Sequence, residues 1–136
     1  VTVEQTKKNG VSAKIAEFVC PLCATIHLSG STITLTSCAI AIMMLNGWEV
    51  SFMQMLPFIL MLGITMVAAP GVPGGAVMAA LGILESMLGF NEPMLTLMIA
   101  LYIAQDSFGT ACNVTGDGAI AVFMDAITGK KEKQAN

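Results

Sequence analysis

Residues 68–77, AAPGVPGGAV, place a cluster of prolines and glycines inside one of the most apolar runs of the chain. Between Phe52 and Leu84 the only clearly polar side chains are Gln54 and Thr65, so the cluster is too dry for an ordinary surface loop. Proline lacks an N–H donor, and glycine lets a ligand approach the backbone closely. The segment therefore predicts irregular backbone inside a hydrophobic layer, which is tolerated where protein or a wet cavity surrounds it.

Composition places the chain among membrane proteins. Hydrophobic residues make up 55% of it and charged residues only 11%, whereas an ordinary globular domain carries about 25% charged residues. The six basic residues lie near the two ends, within residues 7–14 and 130–133. Because no basic patch lies between them, the sequence gives no support to nucleic acid as a partner.

Three hydrophobic blocks follow one another, at residues 15–45, 52–88 and 92–128, with turn-like segments between them. A membrane-spanning helix needs about 20 apolar residues. The second block is nearly long enough for two spans, but its break at 70–75 has no charged residue to hold a turn in water. We therefore expect a re-entrant helical hairpin there, and a plain pair of transmembrane helices is the alternative.

The expected fold is an all-α membrane protein, with residues 1–136 forming one segment. It consists of a broken transmembrane helix, the re-entrant hairpin, a long C-terminal transmembrane helix and a cytoplasmic tail at 129–136. One crossing, a hairpin that returns to its own side and one crossing back leave both termini on the same face. The basic residues near both termini assign that face to the cytoplasm.

The third block carries a polar stripe at membrane depth. Asp106, Thr110, Asn113 and Asp117 are spaced i, i+4, i+7 and i+11, which places them within an arc of about 60° on one helix face. Carboxylates inside a membrane are costly and usually mark an ion or substrate path. Carboxylate and amide oxygens suit a hard cation such as Na⁺. The alternative is a polar seam that only holds helices together.

The first block carries a weaker signal of the same kind. Gly30 lies among serines and threonines in ATIHLSGSTITLTS, residues 24–37, and predicts a helix break near 28–30 whose carbonyl groups bind a cation. His27, the only histidine, is either a structural group or a proton carrier. Cys20 and Cys23 have the C-x-x-C spacing, but a second ligand pair is missing, so a redox or metal role is not favoured.

These motifs resemble the carboxy-terminal transport-domain part of the dicarboxylate/amino acid:cation symporters, the glutamate transporter family. GVSAKIAEFVCPLCATIHLSGST is similar to the entry of their seventh transmembrane helix, and APGVPGGAV to the tip of their second re-entrant hairpin. DSFGTACNVTGD is similar to their eighth helix. The resemblance implies an elevator-type carrier in the plasma membrane, a homotrimer built on scaffold helices, and a hairpin tip that closes over the substrate.

The resemblance also implies roles for individual residues. It assigns the substrate ammonium to Asp106 and other substrate contacts to the side chains of Thr110, Asn113 and Ser31 and the backbone of Gly71, Val72 and Gly74. It assigns one sodium site to Asp117 and Asn113 with the carbonyl groups of Cys23 and His27, and a second to the carbonyl groups of Thr25, Met66, Val67 and Ala69. It implies no covalently bound cofactor.

Two departures from the family pattern bear on function. The family's N-M-D-G-T reads HLSGS at 27–31, and the lost acid and thioether predict a reduced or altered coupling stoichiometry. The coupling ion that the resemblance implies is sodium, with protons as the alternative. Gly109 stands where members with acidic substrates carry arginine, which favours a small neutral amino acid. The alternatives are a glutamate, aspartate or dicarboxylate symporter and a non-transporting membrane fragment that packs with partner helices. An enzyme is not expected, because no nucleophile–base pair is evident.

Overall fold

The structure is a computed structural model, and it describes the backbone of residues 1–135 and the side chains of residues 1–128. The side chains of the expected cytoplasmic tail, 129–136, lie outside the described residues. All regular structure within residues 1–135 is helical, as the sequence predicts. The six helices are α1 (Thr2–Lys8), α2 (Ala13–Ile26), α3 (Ser29–Leu45), α4 (Phe52–Val67), α5 (Gly75–Leu88) and α6 (Glu92–Ala135).

The first hydrophobic block forms two helices, α2 and α3, separated by a break at His27 and Leu28. Both residues have φ of −114°, outside the helical range. Neither residue is a glycine or a proline, so the break is not explained by a helix-breaking residue at this position. The break lies slightly before the expected 28–30, and Gly30 belongs to the first turn of α3.

The second block forms the expected helical hairpin, α4 and α5 joined by residues 68–74. The hydroxyl of Ser51 caps α4 by accepting the Gln54 N–H at 3.3 Å. Gly74, the residue directly before α5, has φ of +74°, a conformation that residues other than glycine rarely adopt. The two arms of the hairpin, α4 and α5, have 16 and 14 residues. A membrane-spanning helix requires about 20.

Helix α6 is the central element, since it packs against α2, α3 and α5. The Asn91 side chain caps its start by accepting the Met94 N–H at 3.1 Å. One apolar core joins α3, α4, α5 and α6 through buried side chains such as Leu35, Phe58, Leu84 and Met98. A smaller core joins α2 to the later part of α6.

The outer faces of the helices are apolar. Large hydrophobic side chains, including Phe18, Ile33, Phe52 and Phe108, are about two-thirds or more exposed. The segments Ala13–Leu45 and Glu92–Thr128 are long and apolar enough to cross a membrane. Faces of this kind suit lipid or partner helices better than water.

Candidate functional site

The break between α2 and α3, the tip of the α4–α5 hairpin and the polar face of α6 surround one cavity of about 360 Å³. Its size is near the lower end of ligand pockets, about 300–1,000 Å³. Its lining residues are Ala24, Thr25, His27, Leu28, Ser31, Val67, Ala69, Pro70, Gly71, Val72, Ala76, Tyr102, Asp106, Thr110, Asn113, Val114 and Asp117. The cavity therefore joins parts of all three hydrophobic blocks.

Asn113 on α6 caps the start of α3. Its Oδ1 accepts the Gly30 N–H at 2.8 Å, and its Nδ2 donates to Ser31 Oγ at 3.0 Å. The first N–H groups of a helix have no partner within the helix, so this amide supplies one from a different helix. Asn113 is only 7% exposed, and both of its polar atoms hold the break against α6, each with capacity for one further contact.

Asp117 lies one turn further along α6 and contacts the break itself. Its carboxylate is 3% exposed, and Oδ1 lies 2.9 Å from Nδ1 of His27. Gly116 makes room for the imidazole, because a Cβ at that position would overlap His27 Cε1. A buried carboxylate with one histidine partner can accept a cation, because it keeps oxygen lone pairs for coordination.

Asp106 contacts the hairpin tip. Its Oδ2 accepts the backbone N–H of Gly74 at 3.0 Å. This hydrogen bond joins the start of α5 to α6 at the edge of the cavity. A change in the charge or contacts of Asp106 would therefore directly affect the backbone of the hairpin tip.

The cavity brings together most of the site residues that the sequence predicts. Among the expected substrate contacts, only Gly74 does not line it, and Gly74 bonds to Asp106 instead. Among the expected cation ligands, Cys23 and Met66 do not line it. Their carbonyl oxygens accept backbone N–H groups, from His27 at 2.7 Å and from Ala69 at 3.1 Å.

Gly109 also lies outside the cavity lining. It packs against α3, where a Cβ on Gly30 would overlap the Gly109 carbonyl oxygen. No lysine or arginine occurs among the residues that line the cavity. The lining side chains that can carry a charge near neutral pH are therefore two aspartates and one histidine.

Tyr102 is a cavity residue that the sequence reasoning missed. It is 1% exposed, and its hydroxyl has no hydrogen-bond partner among the residues whose side chains are described. The signal was present, because Tyr102 precedes Asp106 by four residues and so extends the polar stripe by one turn. It was overlooked because tyrosine is amphipathic and equally at home in an apolar core.

The donor set of the cavity suits a hard monovalent cation better than a transition metal. Within the described residues, no group of three or more His, Cys, Asp and Glu side chains is placed to hold a metal ion. The carboxylate of Asp117 and the amide oxygen of Asn113 do meet beside the break. Hard cations prefer such oxygen ligands.

A broken helix, a helical hairpin and a polar helix face that meet in one cavity between apolar helices define a helical membrane protein with a buried polar site. A sequence profile of the sodium:dicarboxylate symporter family matches residues 1–127. The chain belongs to the sodium:dicarboxylate symporter family, whose members are transporters and not enzymes.

Individual relatives have names that differ in substrate. The chain is 32% identical to human excitatory amino acid transporter 5 over 91% of its length, and 30% identical to human neutral amino acid transporter A over 94%. It is 30% identical to rat neutral amino acid transporter B(0) over 88%. The chain covers 22%, 24% and 22% of these proteins, less than a quarter of each. No solved structure matches it.

Proposed function

We propose that the chain is the substrate- and ion-binding part of an elevator-type carrier that couples cation entry, with sodium as the main ion, to symport of a small neutral amino acid. The observation that carries this proposal is the cavity in which Asp106 holds the hairpin tip while Asp117 and Asn113 hold the helix break. In that arrangement the proposed substrate and ion would both lie beside irregular backbone that the same helix face holds.

The cation has a clear physical role at Asp117. A carboxylate that is 3% exposed carries a large desolvation cost unless a positive charge compensates it. Sodium bound by Asp117, Asn113 and the carbonyl groups of Cys23 and His27 would supply that charge. The second proposed sodium site uses the carbonyl groups of Thr25, Met66, Val67 and Ala69. The contact of His27 with Asp117 keeps protons possible as a coupling ion.

The neutral substrate follows from the charges of the cavity. Asp106 can pair with the ammonium of an amino acid, and Ser31, Thr110 and Asn113 offer polar groups near the tip backbone at Gly71 and Val72. A second carboxylate on the substrate would meet no lysine or arginine among the lining residues. Burying that carboxylate without a partner is unfavourable by several kcal/mol, on the order of 3–5.

The proposed partners rest on the family resemblance, and the apolar surface supports them. Scaffold helices and a first hairpin would complete the substrate cavity, in a homotrimer embedded in plasma-membrane lipid with both termini of this segment in the cytoplasm. The exposed apolar faces of α2, α3 and α4 offer room for lipid and scaffold contacts. A fragment that only packs with partner helices would use the same faces but would not need the buried carboxylates.

Uptake in proteoliposomes that contain the complete carrier tests the proposal, with sodium and proton gradients imposed separately. Asp106→Ala is expected to abolish amino-acid uptake, because it removes the partner of the ammonium and the bond to Gly74. Glu92→Ala, which removes an exposed acid from the same helix, is the matched control and is expected to leave uptake unchanged.

Competition identifies the substrate class in the same assay. Unlabelled serine, threonine and alanine are expected to inhibit uptake, and aspartate and succinate are not. Strong inhibition by aspartate would favour the acidic alternative, which the name of the human excitatory relative supports. Absence of gradient-driven uptake for every amino acid would support the non-transporting fragment.

A further inference from the structure

The side chain of His27 has no part in the proposed sodium site, which uses only the carbonyl group of this residue. The ring nevertheless lies beside that site, because its Nδ1 is 2.9 Å from Oδ1 of Asp117. An ionised carboxylate only accepts hydrogen bonds, so the ring donates through Nδ1–H. This contact joins the break between α2 and α3 to a residue 90 positions away along the chain.

The backbone of α6 makes room for the ring of His27 at Gly116. A Cβ on Gly116 would overlap Cε1 of the ring and would lie 3.3 Å from Nδ1. Any residue other than glycine at this position would therefore push the ring away from α6. The residue that makes room for the imidazole and the residue that accepts its hydrogen bond are adjacent, at positions 116 and 117.

The hydrogen bond from His27 occupies one oxygen of a buried carboxylate. Asp117 is 3% exposed, and His27 is the side chain that bonds to it among the described residues. A carboxylate has two acceptor oxygens, so a partner on Oδ1 leaves Oδ2 for another contact. Groups that bind metal ions are commonly held by such an additional hydrogen bond, and its loss weakens metal affinity by about 10–100-fold.

We infer that His27 is a positioning residue of the sodium site, whose ring holds Oδ1 of Asp117 so that Oδ2 is presented to the ion. This inference rests on the proposed function. His27 then acts twice, since its carbonyl group binds the ion and its side chain orients the carboxylate. Gly116 belongs to the same arrangement, because the ring reaches Asp117 only where the helix carries no side chain at position 116.

The first test removes the ring and keeps every proposed sodium ligand. The measurement is the sodium concentration that gives half-maximal thermal stabilisation of the complete carrier in detergent, with potassium holding the ionic strength constant. His27→Ala is expected to raise this concentration about tenfold or more. His27→Asn is expected to stay close to the wild type, because its amide nitrogen is a donor that can replace Nδ1.

The second test displaces the ring from the other side of the contact. Gly116→Ala is expected to raise the sodium concentration about tenfold in the wild-type background. In the His27→Asn background it should have little effect, because asparagine lacks the Cε1 atom that the new methyl group would overlap. The four proteins form a double-mutant cycle that isolates the contact.

Gly118→Ala is the matched control for this cycle. A Cβ on Gly118 would lie 3.7 Å from Thr6 Oγ1, an ordinary contact, so the sodium dependence should not change. The control adds the same methyl group to the same helix two residues further along. The cycle with Gly116→Ala does not require His27→Ala to fold.

Several results would overturn the inference. An unchanged sodium concentration in His27→Ala would do so, and a lower one would show that the ring competes with the ion. An equal loss in His27→Asn would show that the donor does not matter, and equal effects of Gly116→Ala in both backgrounds would assign them to the helix alone. If sodium failed to stabilise the wild type, the proposed ion coupling would fail together with this inference, so the two failures are distinguishable.

Discussion

At the scale of single residues, the cavity depends on three side chains of α6, one at the hairpin tip and two at the break between α2 and α3. Asp106 holds the N–H of Gly74, Asn113 holds the N–H of Gly30, and Asp117 contacts the ring of His27. Regular helices satisfy their own backbone groups, but a helix start leaves N–H groups free. The polar stripe therefore stabilises both interruptions of the apolar blocks while it lines the cavity.

Asp117→Asn separates the charge of this residue from its shape. We expect the sodium concentration for half-maximal uptake to rise at least about tenfold, equivalent to about 1.4 kcal/mol. The reason is that an amide, unlike a carboxylate, does not neutralise the charge of a bound cation. The measurement is the sodium dependence of uptake by the complete carrier. Asp125→Asn is the control: Asp125 is on the same helix outside the cavity, where it accepts bonds from Ser12. An unchanged sodium dependence in Asp117→Asn would rule out this residue as the cation ligand.

At the scale of helices, the contact between α3 and α6 sets the geometry of the cavity. Gly30 and Gly109 allow the two backbones to approach so closely that a Cβ on Gly30 would overlap the Gly109 carbonyl oxygen and crowd Cys112 Cβ. Small residues commonly permit such close contacts between membrane helices. The close approach brings Asn113 within hydrogen-bonding distance of the start of α3.

Gly30→Ala should separate α3 from α6. Overpacking of this kind costs about 1–3 kcal/mol of stability, and we expect a lower melting temperature in detergent together with weaker substrate binding. Gly63→Ala in α4 is the matched control, since a Cβ there meets nothing within 4 Å and alanine favours a helix by about 0.5–1 kcal/mol. If the two variants melted at the same temperature, the close contact would not matter for stability.

At the scale of the whole molecule, the two ends of the hairpin lie at the same end of the structure. Trp48, in the turn before α4, packs edge-on against Phe90, in the turn after α5, with ring centroids 6.3 Å apart. The hairpin therefore starts and finishes at one level, and its tip reaches the middle of α6 at Asp106. Trp at this position also suits a membrane interface.

Cysteine labelling tests whether the hairpin is re-entrant. In a Cys112→Ala background, Glu49→Cys and Val72→Cys are expected to react with a membrane-impermeant maleimide added outside intact cells, and substrate should protect Val72→Cys. Lys8→Cys should react only after permeabilisation. If Val72→Cys reacted from the cytoplasm alone while Glu49→Cys reacted from outside, α4 and α5 would be a full transmembrane pair.

The sequence by itself determined the helical class, the three apolar blocks and the register of the polar stripe. These features are local: apolar length sets the helices, and the helical repeat places Asp106, Thr110, Asn113 and Asp117 on one face. The position of the hairpin tip was also readable, since Pro70 and Pro73 are clustered with glycines and Gly74 takes positive φ. A single proline, such as Pro21 in α2 or Pro57 in α4, lies within a helix.

The tertiary structure alone decided where the first helix breaks and what the cavity contains. His27 and Leu28 have no intrinsic reason to leave the helix, and the break depends on Asn113 and Asp117, more than 80 residues away along the chain. Gly30 was expected to loosen the backbone but serves the close contact with Gly109. The place of Tyr102 in the cavity was likewise hidden, because only packing shows that its side chain is buried there.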